Sequence, residues 1–165
     1  KSGGGVDSST RSDIKKSLER LNALNDSTSG HDPAEVKREL QECMQNYFGV
    51  FRRGEFMKKG LDQLNEIKEK VDNLHLKDKS DAFNTSRVEA IELQNLFEVA
   101  EATAVSAYER DESRGAHARD DYPERDDENW LCHTIYNPLT KKVSKRGVNF
   151  QPSQVEAFPP KVRTY

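Results

Sequence analysis

The chain has 165 residues, a formal net charge of −3 at pH 7, and equal hydrophobic and charged fractions of 33%. That length fits one domain, or one domain with a tail, and the low apolar content favours helices around a slim core over a large buried sheet. The acidic balance argues against a nucleic-acid partner. No apolar run approaches the ~20 residues that a membrane-spanning helix needs, so direct membrane insertion is not expected.

The first half of the chain predicts two helices after a flexible start. Residues 1–9 are rich in Gly and Ser, which predicts a flexible segment. Apolar residues recur at steps of three and four over residues 12–25, as on one face of a helix. Asp32 followed by Pro33 is the clearest helix start, because Asp caps the N-terminus and Pro suits the first turn. The apolar face of this second helix comprises Val36, Leu40, Cys43, Met44, Tyr47, Phe48 and Phe51.

Two further helices complete the predicted bundle over residues 10–115. Apolar residues at helical spacing fill residues 57–74, after a break at Gly54. Ser86 and Glu89 have the spacing of a capping box, and the last helix is predicted to run to about Glu112. It carries apolar residues on more than one face, which indicates burial on more than one side. Gly115 is then the natural place for the helix to end.

The tail, residues 116–165, has a different pattern. Residues 130–136 alternate as a strand does, Asn137-Pro138 forms a turn, and residues 142–150 have the composition of a return strand. These features predict a hairpin within residues 130–150. The fold predicted for the whole chain is therefore all-α: a three- to four-helix up-and-down bundle with an extended tail, the hairpin being its one β feature.

A cluster of nitrogen donors follows the last predicted helix. Arg114, His117 and Arg119 lie within six residues, with Arg110 just before them. Guanidinium groups suit carboxylates, phosphates or the backbone oxygens of a partner. A solvated helix end with local ion pairs accounts equally well for the same residues, because such pairs contribute only ~0–1 kcal/mol.

No catalytic, cofactor-binding or metal-binding set is predicted in this chain. The four histidines have no metal-ligand spacing, and Cys43 and Cys132 are far apart, so a reducing compartment is the default expectation. Phosphate-loop, dinucleotide and nucleophile-elbow motifs are missing from the sequence. Adjacent acids such as Asp120-Asp121 are typical of solvated surface.

Three runs of residues resemble one family closely. They are residues 113–117 (Ser-Arg-Gly-Ala-His), residues 126–133 (Asp-Asp-Glu-Asn-Trp-Leu-Cys-His) and residues 158–165 (Phe-Pro-Pro-Lys-Val-Arg-Thr-Tyr). Together with residues 40–44, 50–54 and 83–89, they resemble the C-terminal region of the succinate dehydrogenase/fumarate reductase flavoprotein family. The resemblance extends from about Asp13 onward.

The resemblance implies both a role and a setting for this chain. The FAD domain and the capping domain of such flavoproteins lie upstream, so FAD is expected in the full-length subunit and not in this fragment. The C-terminal domain is helical, similar in arrangement to a spectrin repeat, and packs on the FAD domain. The resemblance also implies succinate oxidation to fumarate, electron transfer to an iron–sulfur subunit, and a cytoplasmic location at the inner face of the cell membrane. Arg114, His117 and Arg119 are then expected to form an inter-domain docking face.

Several alternatives remain open from the sequence alone. Within the family they are a fumarate reductase subunit and L-aspartate oxidase, the latter fitting less well because of the long tail after Trp130. Outside it they are a free-standing helical protein-interaction module and an anion-binding module that uses Arg114 and Arg119.

Overall fold

The computed structural model describes residues 8–161, which form four helices and two small sheets. Helix α1 covers Ser8–Asp26, α2 Pro33–Phe48, α3 Gly54–Val71 and α4 Thr85–Glu109. Residues 1–7 of the predicted flexible segment, and the end of the tail from residue 162, lie outside the described residues. Ser8 and Ser9 belong to α1, so this helix begins earlier than its apolar pattern predicted.

The prediction of an all-α fold is wrong, because two two-stranded sheets accompany the helices. Strand β1 (Phe51–Arg52) pairs in parallel with β2 (Ala118–Arg119), and β3 (Cys132–Asn137) pairs antiparallel with β4 (Lys142–Gly147). The first sheet joins residues 67 positions apart in sequence, a pairing that local periodicity does not reveal. The second is a hairpin, and an isolated hairpin is only marginally stable in water. Contact with α4 supplies the support it needs.

Side-chain caps fix the starts of α2 and α4. Asp32 accepts a hydrogen bond from the Ala34 N–H at 2.9 Å, and Pro33 occupies the first helical position. Asn84 accepts from the Arg87 N–H at 2.8 Å at the start of α4. These caps satisfy backbone donors that a helix N-terminus leaves unpaired.

Helices α2, α3 and α4 enclose the main core. Met57 and Cys43 are completely buried, and Phe97 of α4 is 1% exposed. Helix α1 contributes Leu24 to the core, whereas its residues 11–20 are all exposed. The other core residues are Val36, Leu40, Phe48, Leu64, Ile67, Val71, Leu74, Leu76, Ala90, Leu93, Ala100, Ala104 and Ala107.

The end of α4 differs from its predicted end at Gly115. The helix stops at Glu109, and Arg110 has an extended backbone with φ −91° and ψ 100°. Arg119 Nη1 takes over the last carbonyls, donating to Tyr108 at 3.1 Å and to Arg110 at 3.2 Å. The Arg119 guanidinium therefore satisfies carbonyls at the end of α4, whereas many helices satisfy theirs through a turn at a C-terminal glycine. Gly115, at φ +59°, instead forms a tight turn closed by mutual backbone hydrogen bonds between Arg114 and His117.

Candidate functional site

The residues predicted as a docking face meet where α4 ends. Their segment doubles back, and strand β2 pairs with β1 from the connection between α2 and α3. This brings them beside one arginine from β1 and one from the end of α4. We call these five residues the arginine cluster: Arg52, Arg110, Arg114, His117 and Arg119.

Arg119 is the most buried member, at 3% exposed. Its Nε and Nη2 atoms donate to the two carboxylate oxygens of Asp121 at 2.7 and 2.8 Å, a bidentate pair. These bonds from Arg119 are the main reason that the pKa of Asp121 lies well below its usual range. Because its remaining Nη1 binds the end of α4, Arg119 acts as an internal brace between the helix and the segment that follows it.

Glu112 links two further arginines from a completely buried position. Arg110 Nε and Arg114 Nε each donate to its Oε1 at 2.8 Å, and the Asp126 N–H donates to Oε2 at 2.9 Å. Burial alone raises the pKa of Glu112, but the bonds from Arg114, Asp126 and Arg110 outweigh it and hold the pKa below its ordinary value. The carboxylate is therefore charged and joins the end of α4 to the tail.

His117 and Arg52 form the part of the cluster that has no acid between them. Arg52 Nη1 lies 2.8 Å from His117 Nδ1, and His117 Nε2 lies 3.0 Å from the Arg110 carbonyl. A carbonyl only accepts, so Nε2 carries the proton and Nδ1 accepts from Arg52. Burial lowers the pKa of His117, and with the positive charges of Arg52, Arg119 and Arg110 it outweighs the hydrogen bond to the Arg110 carbonyl, which acts in the opposite direction. The imidazole is thus held neutral.

A groove of about 960 Å³ opens beside this cluster, between α4 and β3. Its long walls are mostly apolar or small side chains, and its basic end is formed by Arg52, Arg110, Arg114 and His117. Small side chains let another backbone approach closely, and the basic end suits a carboxylate. The walls comprise Glu98, Val99, Ala102, Thr103, Ser106 and Ala107 of α4, Cys132, His133, Thr134, Ile135 and Tyr136 of β3, and Pro138.

Arg110 fixes the hairpin that forms one wall of this groove. Its Nη1 donates to the Cys132 carbonyl at 3.1 Å and to Thr134 Oγ1 at 2.9 Å, and its Nη2 donates to the Trp130 carbonyl. The guanidinium also lies 5.3 Å from the centre of the Trp130 ring, within cation–π range. Arg110 thus ties the start of the hairpin to the end of α4, and Tyr136 and Lys141 bind Glu101 of α4 farther along the hairpin.

The guanidinium groups of the arginine cluster donate hydrogen bonds, which suit carboxylates or the backbone oxygens of a partner. Burial raises the pKa of the Cys43 thiol to about 11, which makes it a poor nucleophile. Among residues 8–161, no three His, Cys, Asp or Glu side chains gather in a way that would hold a metal ion. The parallel strand pair β1–β2 is two residues long and leads into no glycine-rich turn of the kind that binds the phosphates of a dinucleotide. Within the described part of the chain, no helix has the length and apolar character needed to cross a membrane.

Sequence reasoning named three members of the cluster and noted a fourth, but assigned no role to Arg52 or Glu112. Glu112 had a usable signal, since it lies two residues from an arginine on either side. Arg52 lies in the run of residues 50–54 that resembles the family, but no spacing relates it to His117, which is 65 residues away and is brought to it only by the pairing of β1 with β2. The docking role assigned to Arg114, His117 and Arg119 stays a prediction.

The amino-acid sequence of this chain is similar to those of known proteins. A family model described as "Fumarate reductase flavoprotein C-term" matches residues 37–165. The succinate dehydrogenase flavoprotein subunit of Coxiella burnetii is 45% identical over 151 residues, which is 92% of this chain and 26% of that protein. The fumarate reductase flavoprotein subunit of Proteus vulgaris is 42% identical over 137 residues, covering 81% of this chain and 22% of that protein.

Structural comparison agrees with the sequence matches. A solved chain of E. coli quinol fumarate reductase superimposes with a TM-score of 0.82 at 32% identity, covering 97% of this chain and 27% of that chain. This chain therefore spans about a quarter of the length of the relatives it matches.

Proposed function

This chain belongs to the succinate dehydrogenase/fumarate reductase flavoprotein family as its C-terminal domain, and from that premise we propose that it serves as the docking scaffold for the FAD-binding domain of the same subunit. The full-length subunit would oxidise succinate to fumarate on FAD held upstream. Electrons would then pass to an iron–sulfur subunit, within a membrane-bound complex in the cytoplasm at the inner face of the cell membrane.

The observation that carries this proposal is the match itself. The chain aligns over 92% of its own length with a succinate dehydrogenase flavoprotein subunit and yet covers only 26% of that protein. The geometry supports a docking role over a catalytic one, because the arginine cluster is built from structural ion pairs beside an open groove. Arg114 and His117 line that groove, and we assign Arg119 the part of bracing them from within.

Fumarate reduction is the second candidate, and two observations favour it. The Proteus relative is nearly as similar as the Coxiella one, and the E. coli structural match is a fumarate reductase. The tail after Trp130 resembles the succinate dehydrogenase branch, and for that reason we place succinate oxidation first.

Activity of the full-length subunit, compared with that of the 165-residue chain, tests the proposal. We expect the full-length protein to retain flavin, seen by its absorbance, and to reduce a dye with electrons from succinate. The 165-residue chain should show neither property after incubation with FAD. A defined ratio of flavin bound to the 165-residue chain would contradict the scaffold role. Faster dye-coupled fumarate reduction than succinate oxidation would favour the second candidate.

A further inference from the structure

Arg52 differs from the other arginines of the cluster, because no carboxylate faces it. Arg110 and Arg114 share Glu112 at 2.6 and 2.8 Å, and Arg119 pairs with Asp121 at 2.7 Å. Within residues 8–161, no carboxylate oxygen lies within 4.0 Å of the Arg52 guanidinium. Its partners are backbone carbonyls and a neutral imidazole. A partly buried cation without a counter-ion is costly, since neutral hydrogen-bond partners replace only part of the hydration that burial removes.

The same contacts hold the guanidinium in a fixed position. Arg52 Nε donates to the Phe48 carbonyl at 3.2 Å and to the Gly49 carbonyl at 3.1 Å, at the end of α2. Its Nη1 is held by His117. Nη2 makes no hydrogen bond within the described part of the chain, and the side chain lines the basic end of the groove. Burial lowers the pKa of Arg52, as expected for a cation that lacks an acidic neighbour.

The neighbours of Arg52 resemble a surface that another part of a protein covers. Val50 and Phe51, which precede it, are 70% and 78% exposed, and Val99 on the groove wall is 64% exposed. Exposed apolar side chains together with an arginine are typical of a protein interface, where Arg and aromatic residues are enriched relative to the rest of the surface. Because the chain spans about a quarter of its relatives' length, most of such a subunit lies outside it and is available to cover this surface.

We propose that Arg52 is the socket for a carboxylate, that of an Asp or Glu side chain on the FAD-binding portion of the same subunit, seated at the basic end of the groove. This inference rests on the proposed function and gives the docking contact its chemistry. The carboxylate supplies the counter-ion that Arg52 lacks. The hydrogen bond from Arg52 to His117 holds the guanidinium in position to bind this carboxylate. The bond is charge-assisted and partly desolvated, which makes it specific for an acid at one position.

Zero-length cross-linking in the full-length subunit tests this contact directly. Arg52→Lys places an amine at the socket, and a carbodiimide joins an amine only to a carboxylate in direct contact. We expect one new cross-link from position 52 to an Asp or Glu upstream of residue 1, identified by mass spectrometry. Arg146→Lys, at an exposed arginine of β4 without an ion pair in the described residues, is the matched control and should give no such link.

Other outcomes of that experiment overturn the inference. A link confined to residues 1–165, to the iron–sulfur subunit or to a second copy of the subunit would assign the socket to a different partner. No link at all, in a variant whose circular dichroism matches the wild type, would mean that no carboxylate reaches Arg52.

A second measurement does not depend on the lysine variant. Cys132 lines the groove, whereas Cys43 is completely buried and serves as an internal reference. Arg52→Gln in the full-length subunit should raise the alkylation rate of Cys132 by about tenfold, because loss of the charged contact loosens the cover over the groove. Arg146→Gln should leave that rate unchanged, and equal rates in the two variants would overturn the inference.

The two proposals fail in different ways. A full-length subunit that holds flavin and oxidises succinate, but gives no link from position 52, rejects only the Arg52 socket. A subunit that lacks flavin and activity rejects the proposed function whatever the cross-linking shows.

Discussion

Glu112 shows how a single buried charge organises this protein at the residue scale. Its side chain is completely buried, and two arginines and one backbone N–H occupy its two oxygens. A carboxylate in such a setting is stable only while its partners remain, since an unpaired buried charge is strongly unfavourable. The arrangement ties the end of α4 to the tail through one side chain.

Glu112→Gln is expected to lower the free energy of unfolding by about 3–5 kcal/mol, because it leaves two arginines without their shared counter-ion. Urea denaturation of the 165-residue chain measures this change. Glu128→Gln, at an exposed acid of the same tail, is the control and should fall within about 0.5 kcal/mol of the wild type. A loss for Glu112→Gln as small as that of the control would mean that the ion pairs of Glu112 with Arg110 and Arg114 contribute no net free energy to folding.

His117 gives the protein a pH dependence with a definite sign. The folded state lowers the pKa of His117 below the ordinary 6.5, so in acid the unfolded chain binds a proton that the folded chain does not. Stability should therefore fall as the pH is lowered through about 6.5 towards the folded pKa. His117→Gln keeps a donor for the Arg110 carbonyl but removes the titration, so the variant should lose less stability over that range.

Denaturation series at several pH values between about 5 and 8 test this expectation. His133→Gln, at an exposed histidine of β3, is the matched control and should follow the wild-type pH profile. A profile for His117→Gln identical to that of the wild type would show that His117 does not carry the dependence.

At the scale of elements, the contact between α2 and α3 depends on one small residue. Gly60 lies inside α3, and a Cβ added there would come within 2.5 Å of Phe48 Cε2 and of Tyr47 Cβ. The carbonyl of Gly60 also receives the Cys43 thiol at 3.6 Å. Glycine in a helix interior costs about 1 kcal/mol relative to alanine, so close packing is what justifies it here.

Gly60→Ala should destabilise the chain by about 1–3 kcal/mol, because overpacking exceeds the gain in helix propensity. Thermal unfolding monitored by circular dichroism measures the change. Gly147→Ala is the matched control, since nothing lies within 4 Å of its added Cβ, and it should be nearly neutral. A stabilised Gly60→Ala would show that the two helices separate at little cost.

At the scale of the whole molecule, stability is unevenly distributed. Helix α4 packs against α2, α3 and the hairpin, and six of its residues are buried. Helix α1 projects from the bundle, with residues 11–20 all exposed and apolar side chains such as Ile14 and Leu18 among them. Regions with few buried contacts open locally at low free energy.

Hydrogen exchange of the 165-residue chain should therefore give two classes of amide. Those of residues 93–104 are expected to exchange slowest, and those of residues 11–20 at least about 100-fold faster. Equal protection of the two groups would mean that α1 is fixed by contacts absent from this structure.

The sequence by itself determined the helices and the family. Periodic apolar residues and caps such as Asp32 act over a few positions, so they locate helices without any knowledge of the rest of the chain. The runs at residues 113–117 and 126–133 likewise carried the resemblance that the family match confirms. The alternation over residues 130–136 favoured strand where β3 lies.

Only the tertiary structure decided how the ends of these elements meet. The pairing of β1 with β2, the end of α4 at Glu109 and the contact of Arg52 with His117 all join residues distant in sequence. An arginine side chain reaches several ångströms and its guanidinium can donate to many different oxygens, so its sequence position does not reveal which oxygen it binds. The helices therefore follow from local spacing, whereas the arginine cluster and its groove exist only once the chain has folded back on itself.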